Sequence, residues 1–128
     1  MEISRYEDML NEPDMTAIKF IGLVNLVRSS DMKDGIRIDL TEQGCYLLVF
    51  PEGIYAVNGR SPRNLTLTDA VEVIYDDYFA SGGLESVMEA VQALGVTREY
   101  TMGSRVLTVS PGVRSARFDL RNTGGGLS

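Results

Sequence analysis

The chain has 128 residues, of which 44% are hydrophobic and 23% charged, as expected for one globular domain. Its formal net charge of −6 argues against binding to nucleic acid or to anionic membranes, because both normally require a basic face. It has no histidine and a single cysteine, Cys45. The usual zinc sites, an internal disulfide and histidine-dependent catalysis are therefore excluded.

The N-terminal region predicts one central helix. Residues 1–12 form either a short helix or an N-terminal arm, and Asn11 is then predicted to cap a helix that has Pro13 in its first turn. Between Met15 and Val27 that helix is apolar around most of its circumference, so we expect burial on several sides. The first ten residues lack the apolar core of a signal peptide, which favours a cytoplasmic location, or the host cytoplasm if the source is viral.

Residues 36–58 predict an antiparallel β-meander. Apolar and polar residues alternate over Ile36–Leu40, as in a half-buried strand, and Cys45–Phe50 is a short apolar run between Gly44 and Pro51. Pro51-Glu52-Gly53 predicts a tight turn into a third strand over Ile54–Val57. A polar loop is expected over residues 60–64.

Two helices and a second β-region are predicted beyond this loop. Thr66–Asp69 has the pattern of a capping box, Ser81–Gly83 interrupts the helix that it opens, and a second helix runs over Leu84–Leu94 to Gly95. The strands predicted last are Arg98–Met102, Arg105–Val109 and Val113–Leu120.

The predicted fold is therefore an α+β single domain over residues 1–121. An antiparallel sheet, made of the β-meander plus a C-terminal hairpin, packs against about three helices. Residues 122–128 are expected to be a flexible Gly-rich tail.

Charge is unevenly distributed along this domain. Residues 1–97 carry 7 basic and 16 acidic side chains, a net of −9, whereas residues 98–128 carry 5 arginines against Glu99 and Asp119, a net of +3. The arginines either occupy solvent-facing strand positions, which we favour, or make a bipolar molecule suited to head-to-tail association or to a charged partner.

Six side chains are candidate binding residues. Two arginines in the polar loop can hold a carboxylate or phosphate through bidentate hydrogen bonds, and a Tyr-Asp-Asp-Tyr segment offers aromatic contact area. The alternatives are a solvated loop and tyrosines that pack inward. The six residues are Arg60, Arg63, Tyr75, Asp76, Asp77 and Tyr78.

Carboxylates are the remaining source of chemistry. Asp69, Glu72 and Asp76 share one helix face, with Asp77 beside them. Such a face can hold a divalent cation, but a solvated face is the favoured interpretation, because acidic residues suit a helix N-terminus. We therefore predict no catalytic residue, no metal and no cofactor.

The stretch IRIDLTEQGCYLLVF at Ile36–Phe50, which follows an apolar helix, resembles the start of class I type III secretion chaperones. The resemblance covers about the first half of the chain. It implies an acidic, non-enzymatic homodimer with the order α-β-β-β-α-β-β-α. The sequence departs from that order in having two predicted helices between its β-regions and no predicted helix after Val113–Leu120.

These observations predict a non-catalytic protein-binding module, such as an adaptor, an inhibitor, a chaperone-like protein or an assembly subunit. We expect it to bind a protein partner, to be a homo-oligomer and not to be an enzyme. The alternative is a small-molecule-binding protein or a carboxylate-dependent enzyme with a pocket lined by Tyr, Arg and Asp. Mimicry of nucleic acid by the acidic part of the chain is a third, less favoured hypothesis.

Overall fold

The computed structural model describes residues 2–59, 61–112 and 117–120. They contain three α-helices, one π-helical segment and seven strands, and the strands form two antiparallel sheets. This arrangement confirms the α+β class. The elements, in chain order, are α1 (Glu2–Ser29), β1 (Ile36–Asp39), β2 (Cys45–Phe50), β3 (Gly53–Asn58), β4 (Arg63–Leu65), α2 (Leu67–Tyr78), the π-helical segment (Phe79–Gly83), α3 (Leu84–Leu94), β5 (Arg98–Met102), β6 (Arg105–Val109) and β7 (Arg117–Leu120).

The first sheet has the strand order β1-β2-β3-β4 and contains the predicted meander. Leu47 lies opposite Ile38 on one side and Ala56 on the other. The fourth strand was missed, because Arg63 and Asn64 are polar and predicted a loop. Arg63 in fact lies opposite Ala56, and Leu65 lies opposite Ile54 in the core.

The second sheet has the order β5-β6-β7. The strands predicted over Arg98–Met102 and Arg105–Val109 are confirmed with the same bounds. Of the predicted strand Val113–Leu120, only Arg117–Leu120 is described, and it pairs with β6. The predicted tail at residues 122–128 lies outside the described residues.

The helices hold the two sheets together through two adjoining cores. The second half of α1 packs on the first sheet, where Phe20, Val24 and Val27 lie among buried residues of β2, β3 and β4. The first half of α1 packs with α3 on the second sheet, and α2 contributes to both cores.

The predicted helix start at Asn11 is wrong, because α1 is continuous from Glu2 to Ser29 and contains Pro13 in its interior. Residues 2–12, predicted as a short helix or an arm, form the first half of this helix. Proline removes one backbone hydrogen bond, so packing must stabilise the helix on both sides of it. Leu10 is buried, Pro13 is fully buried, and the carbonyl of Leu10 accepts a hydrogen bond from the Tyr100 hydroxyl.

The helix boundaries in the second half agree with their sequence signals. Thr66 caps α2, since its hydroxyl accepts a 3.0 Å hydrogen bond from Asp69 N. The helix is interrupted as predicted, with Gly82 at a φ of 105°, and α3 ends at a left-handed Gly95. Among the described residues, no helix combines the length and the apolar character needed to cross a membrane.

Candidate functional site

Of the predicted binding residues that the structure describes, three border one cleft and the two tyrosines lie away from it. Arg60 lies outside the described residues. Arg63 lines one cavity, and Asp76 and Asp77 line an adjoining one. Both tyrosines lie elsewhere, in or against the core around α3 and β5.

The two cavities form one open cleft between the first sheet and α2. The larger has a volume of about 700 Å³ and the smaller about 360 Å³, and both are bordered by Leu40, Glu42 and Val73. Arg63 is exposed at the larger cavity and makes no ion pair with another described residue. The walls combine apolar side chains with the Arg63 guanidinium and the Glu42 carboxylate, and Asp76 and Asp77 line the smaller cavity, so an acid group on an apolar ligand suits only the Arg63 end of the cleft.

Cys45 also lines the larger cavity, as a buried thiol. Its Sγ lies 3.3 Å from Glu42 Oε1 and 3.1 Å from Asn58 Oδ1. Burial raises the pKa of the Cys45 thiol, and the Glu42 carboxylate raises it further. Because the thiolate is the reactive form of cysteine, these neighbours oppose nucleophilic chemistry at this position.

The tyrosine side chains of α2 pack against the core, which was the alternative to a binding role for the Tyr-Asp-Asp-Tyr segment. The Tyr75 hydroxyl donates a 2.8 Å hydrogen bond to Asp14 Oδ1 of α1, and its ring stacks on Phe79. Burial raises the pKa of Tyr75, and the bond to Asp14 adds to this effect. Burial also raises the pKa of Tyr78, whose ring meets Phe79 edge-on. The Tyr75 ring is therefore buried, whereas the Tyr78 ring is half-buried against Phe79.

Two carboxylates of α2 bind the β5–β6 hairpin, which neither sequence interpretation of this acidic face anticipated. Glu72 Oε2 accepts a 2.6 Å hydrogen bond from Ser104 N and another from the Ser104 hydroxyl. Asp76 Oδ1 lies 2.7 Å from Arg105 Nη2. Gly103 permits this close approach, because a Cβ there would contact Glu72 Cγ and the Thr68 carbonyl.

Some of the arginines in residues 98–128 form ion pairs with acidic side chains of the same chain. Arg105 pairs with α2, and Arg98 of β5 lies 3.3 Å from Asn11 Oδ1 and 3.8 Å from Asp14 Oδ2 of α1. Arg117 pairs with Asp119 on its own strand. The basic second sheet therefore contacts the acidic helices α1 and α2.

The expectation that α1 is buried on several sides is wrong. Its core stripe consists of Ala17, Phe20, Val24 and Val27, all buried. A second apolar stripe lies on the opposite side, where Met15, Ile18 and Leu26 have exposed fractions of 44%, 58% and 48%. Gly22 lies between Ile18 and Leu26 and is also exposed. We call Met15, Ile18, Gly22 and Leu26 the outer face of α1.

The sequence contained a signal for this surface. Residues 18, 22 and 26 are spaced by four, so they share one side of a helix, and the core stripe lies on the other side. A helix that is apolar all round predicts burial, but the burial need not be within one chain.

No group of three or more histidine, cysteine, aspartate or glutamate side chains that could hold a metal ion occurs in the part of the chain that the structure describes. The four strands that follow α1 depart from the strand order of type III secretion chaperones. Comparison with protein-family models, with curated proteins and with solved structures finds no match, so that resemblance gains no support from a family assignment.

Proposed function

We propose that this chain is a non-catalytic protein-binding module that associates with itself through the outer face of α1. One observation carries the proposal: three large apolar side chains of one helix are each about half exposed on the side away from the core. Clustered apolar side chains on a protein surface mark interaction sites more often than scattered ones do.

The distribution of charged residues along α1 is compatible with a protein–protein interface at the outer face. Residues 15–30 carry two charged side chains, Lys19 and Arg28, and no acidic one, although the chain as a whole has a net charge of −6. Depletion of charge is typical of the centre of a protein–protein interface. Self-association there would not bring carboxylates of the two copies together at the centre of the contact.

The surroundings of Cys45 support the non-catalytic part of the proposal. Burial and the Glu42 carboxylate raise the pKa of the thiol, and the chain has no histidine that could act as its base. Two carboxylates of α2, Glu72 and Asp76, are engaged by Ser104 and Arg105. These groups have structural roles in the fold.

Replacing Ile18 with aspartate is expected to weaken self-association by at least about tenfold, because burying an unpaired carboxylate costs more than about 1.4 kcal/mol. Sedimentation velocity over a range of protein concentrations measures this change. The control is Val96→Asp, since Val96 is also exposed, at 43%, but lies outside α1. Equal association of both variants, or a wild-type protein that stays monomeric at its solubility limit, would contradict the proposal.

The cleft supports a second candidate function, the binding of a small acidic molecule with an apolar body. The supporting observation is that Arg63, which forms no ion pair with any described residue, lies in a cavity whose wall includes Leu40, Val57 and Val73 as well as the Glu42 carboxylate. This function is compatible with the first, because the cleft and the outer face of α1 share no residue.

Anilinonaphthalene sulfonate, which joins an apolar ring system to an acid group, is a suitable probe of the cleft. We expect saturable fluorescence enhancement, and we expect Arg63→Ala to weaken binding of the probe by about ten- to a hundredfold, because one charge-assisted hydrogen bond contributes roughly 1.5–3 kcal/mol. Arg117→Ala is the control, since Arg117 lies on β7. Equal binding by wild type and Arg63→Ala would exclude this use of the cleft.

A further inference from the structure

We infer that the partner on the outer face of α1 is a second copy of this chain, packed antiparallel so that the two α1 helices cross at Gly22. The inference rests on the proposed function and specifies the occupant, the direction and the register of the contact. Three features of α1 support it: a symmetric pair of exposed residues, a one-sided distribution of carboxylates and an open glycine.

Two of the exposed residues, Ile18 and Leu26, are placed symmetrically about Gly22, whereas the third, Met15, would lie opposite the partner's Ser29. Ile18 lies four residues before Gly22 and Leu26 four residues after it, and both are about half exposed. A twofold axis through the crossing point pairs each residue with the one equally far from Gly22 on the other side, so Ile18 meets the partner's Leu26. The same two contacts therefore form on both sides of the axis, as a closed dimer requires.

The carboxylates of α1 favour the antiparallel direction. Five of them, Glu2, Glu7, Asp8, Glu12 and Asp14, lie before residue 15 and none lies between residues 15 and 30. A parallel pair would place the two acidic halves side by side. An antiparallel pair centred on Gly22 separates their midpoints by about 40 Å at 1.5 Å per residue. That distance is several times the screening length of about 8 Å at physiological ionic strength.

Gly22 allows the helices to approach closely. It has no side chain, and a Cβ built there meets no heavy atom of its own chain within 4 Å. Residues spaced by four form the ridges that pack when two helices cross at about −50°. With glycine at the centre of this ridge, the backbones can come close while Ile18 and Leu26 fill the space on either side.

Oxidative cross-linking of introduced cysteines tests the register directly. In a Cys45→Ser background, Ile18→Cys and Leu26→Cys are oxidised separately and as an equal mixture, and the products are resolved by mass spectrometry. Cysteines at residue 18 of the two copies would lie about 12 Å apart along the helix axes. Because Cα atoms more than about 7 Å apart cannot be bridged, the mixed 18–26 disulfide should exceed either homodisulfide about tenfold.

Two further variants complete the experiment. Gly22→Cys should form a homodisulfide, whereas Val96→Cys, which is exposed outside α1, should not. Homodisulfides of Ile18→Cys and Leu26→Cys in excess of the mixed product would overturn the antiparallel register but leave self-association standing. A dimer in sedimentation without any α1 cross-link would overturn the register as well. Monomeric wild-type protein without cross-links would overturn both this inference and the proposed function.

Discussion

Leu47→Ala is expected to lower the free energy of unfolding by about 3 kcal/mol, within the range of roughly 2–5 kcal/mol for buried leucines. Leu47 has an exposed fraction of 0% at the centre of β2, and it belongs to the core that includes Phe20 and Val24 of α1. Alanine leaves a cavity there, because neighbouring strands on both sides hold the backbone in place. Urea denaturation measures the change.

Leu48 provides the matched control, since it is the same residue type on the same strand. Successive side chains of a strand point to opposite faces, and Leu48 is only half-buried on the face away from the helices. Leu48→Ala should therefore cost about 1 kcal/mol or less. Equal losses for the two variants would show that the register of β2 against the helices is wrong.

The parts of the fold that could be predicted from the sequence are those governed by local signals. The Thr66 cap, the glycine interruption before α3 and the left-handed Gly95 depend on residues within a few positions of each other. The strands of the meander combine apolar runs with tight turns, which are also local. Neighbouring residues alone determine such features, without contacts from the rest of the chain.

The two errors in α1 arise from tertiary contacts. A proline after asparagine predicts a helix start, but Leu10 is buried in the core beneath the second sheet and Pro13 is fully buried, so packing outweighs the lost hydrogen bond. The apolar circumference of the helix predicts burial, yet one chain covers only one side. The short β4 was missed for a related reason, because its strand conformation follows from pairing with β3.

The candidate site was less predictable than the fold. Arg63 was identified from its polar loop, but the partners of Asp76 and Glu72 are about 30 residues away in sequence, on the β5–β6 hairpin. Which carboxylates are engaged within a chain depends on how helices and sheets dock. The spacing of four residues in the outer face of α1 is visible in the sequence. Because both sides of the helix are apolar, the sequence does not show which side faces the core.

Gly83→Ala is expected to destabilise the protein by about 1–3 kcal/mol, the usual cost of overpacking a filled site. Gly83 is buried at the end of the π-helical segment, and the Tyr78 ring packs directly on it. An added Cβ would lie 2.7 Å from Tyr78 Cζ and nearer to two other ring carbons. The ring would have to leave its edge-on contact with Phe79.

Two comparisons separate this clash from the general effect of alanine in a helix. Gly22→Ala, measured at concentrations where the chain is monomeric, should stabilise α1 by about 0.5–1 kcal/mol, because its Cβ meets open space. In a Tyr78→Ala background, Gly83→Ala should lose its penalty, which a double-mutant cycle records as a coupling of about 1–3 kcal/mol. If the penalty persists without the ring, the close packing of Tyr78 on Gly83 is not its cause. Backbone strain is not an alternative cause, because Gly83 has helical φ and ψ angles of −63° and −34°, which alanine adopts freely.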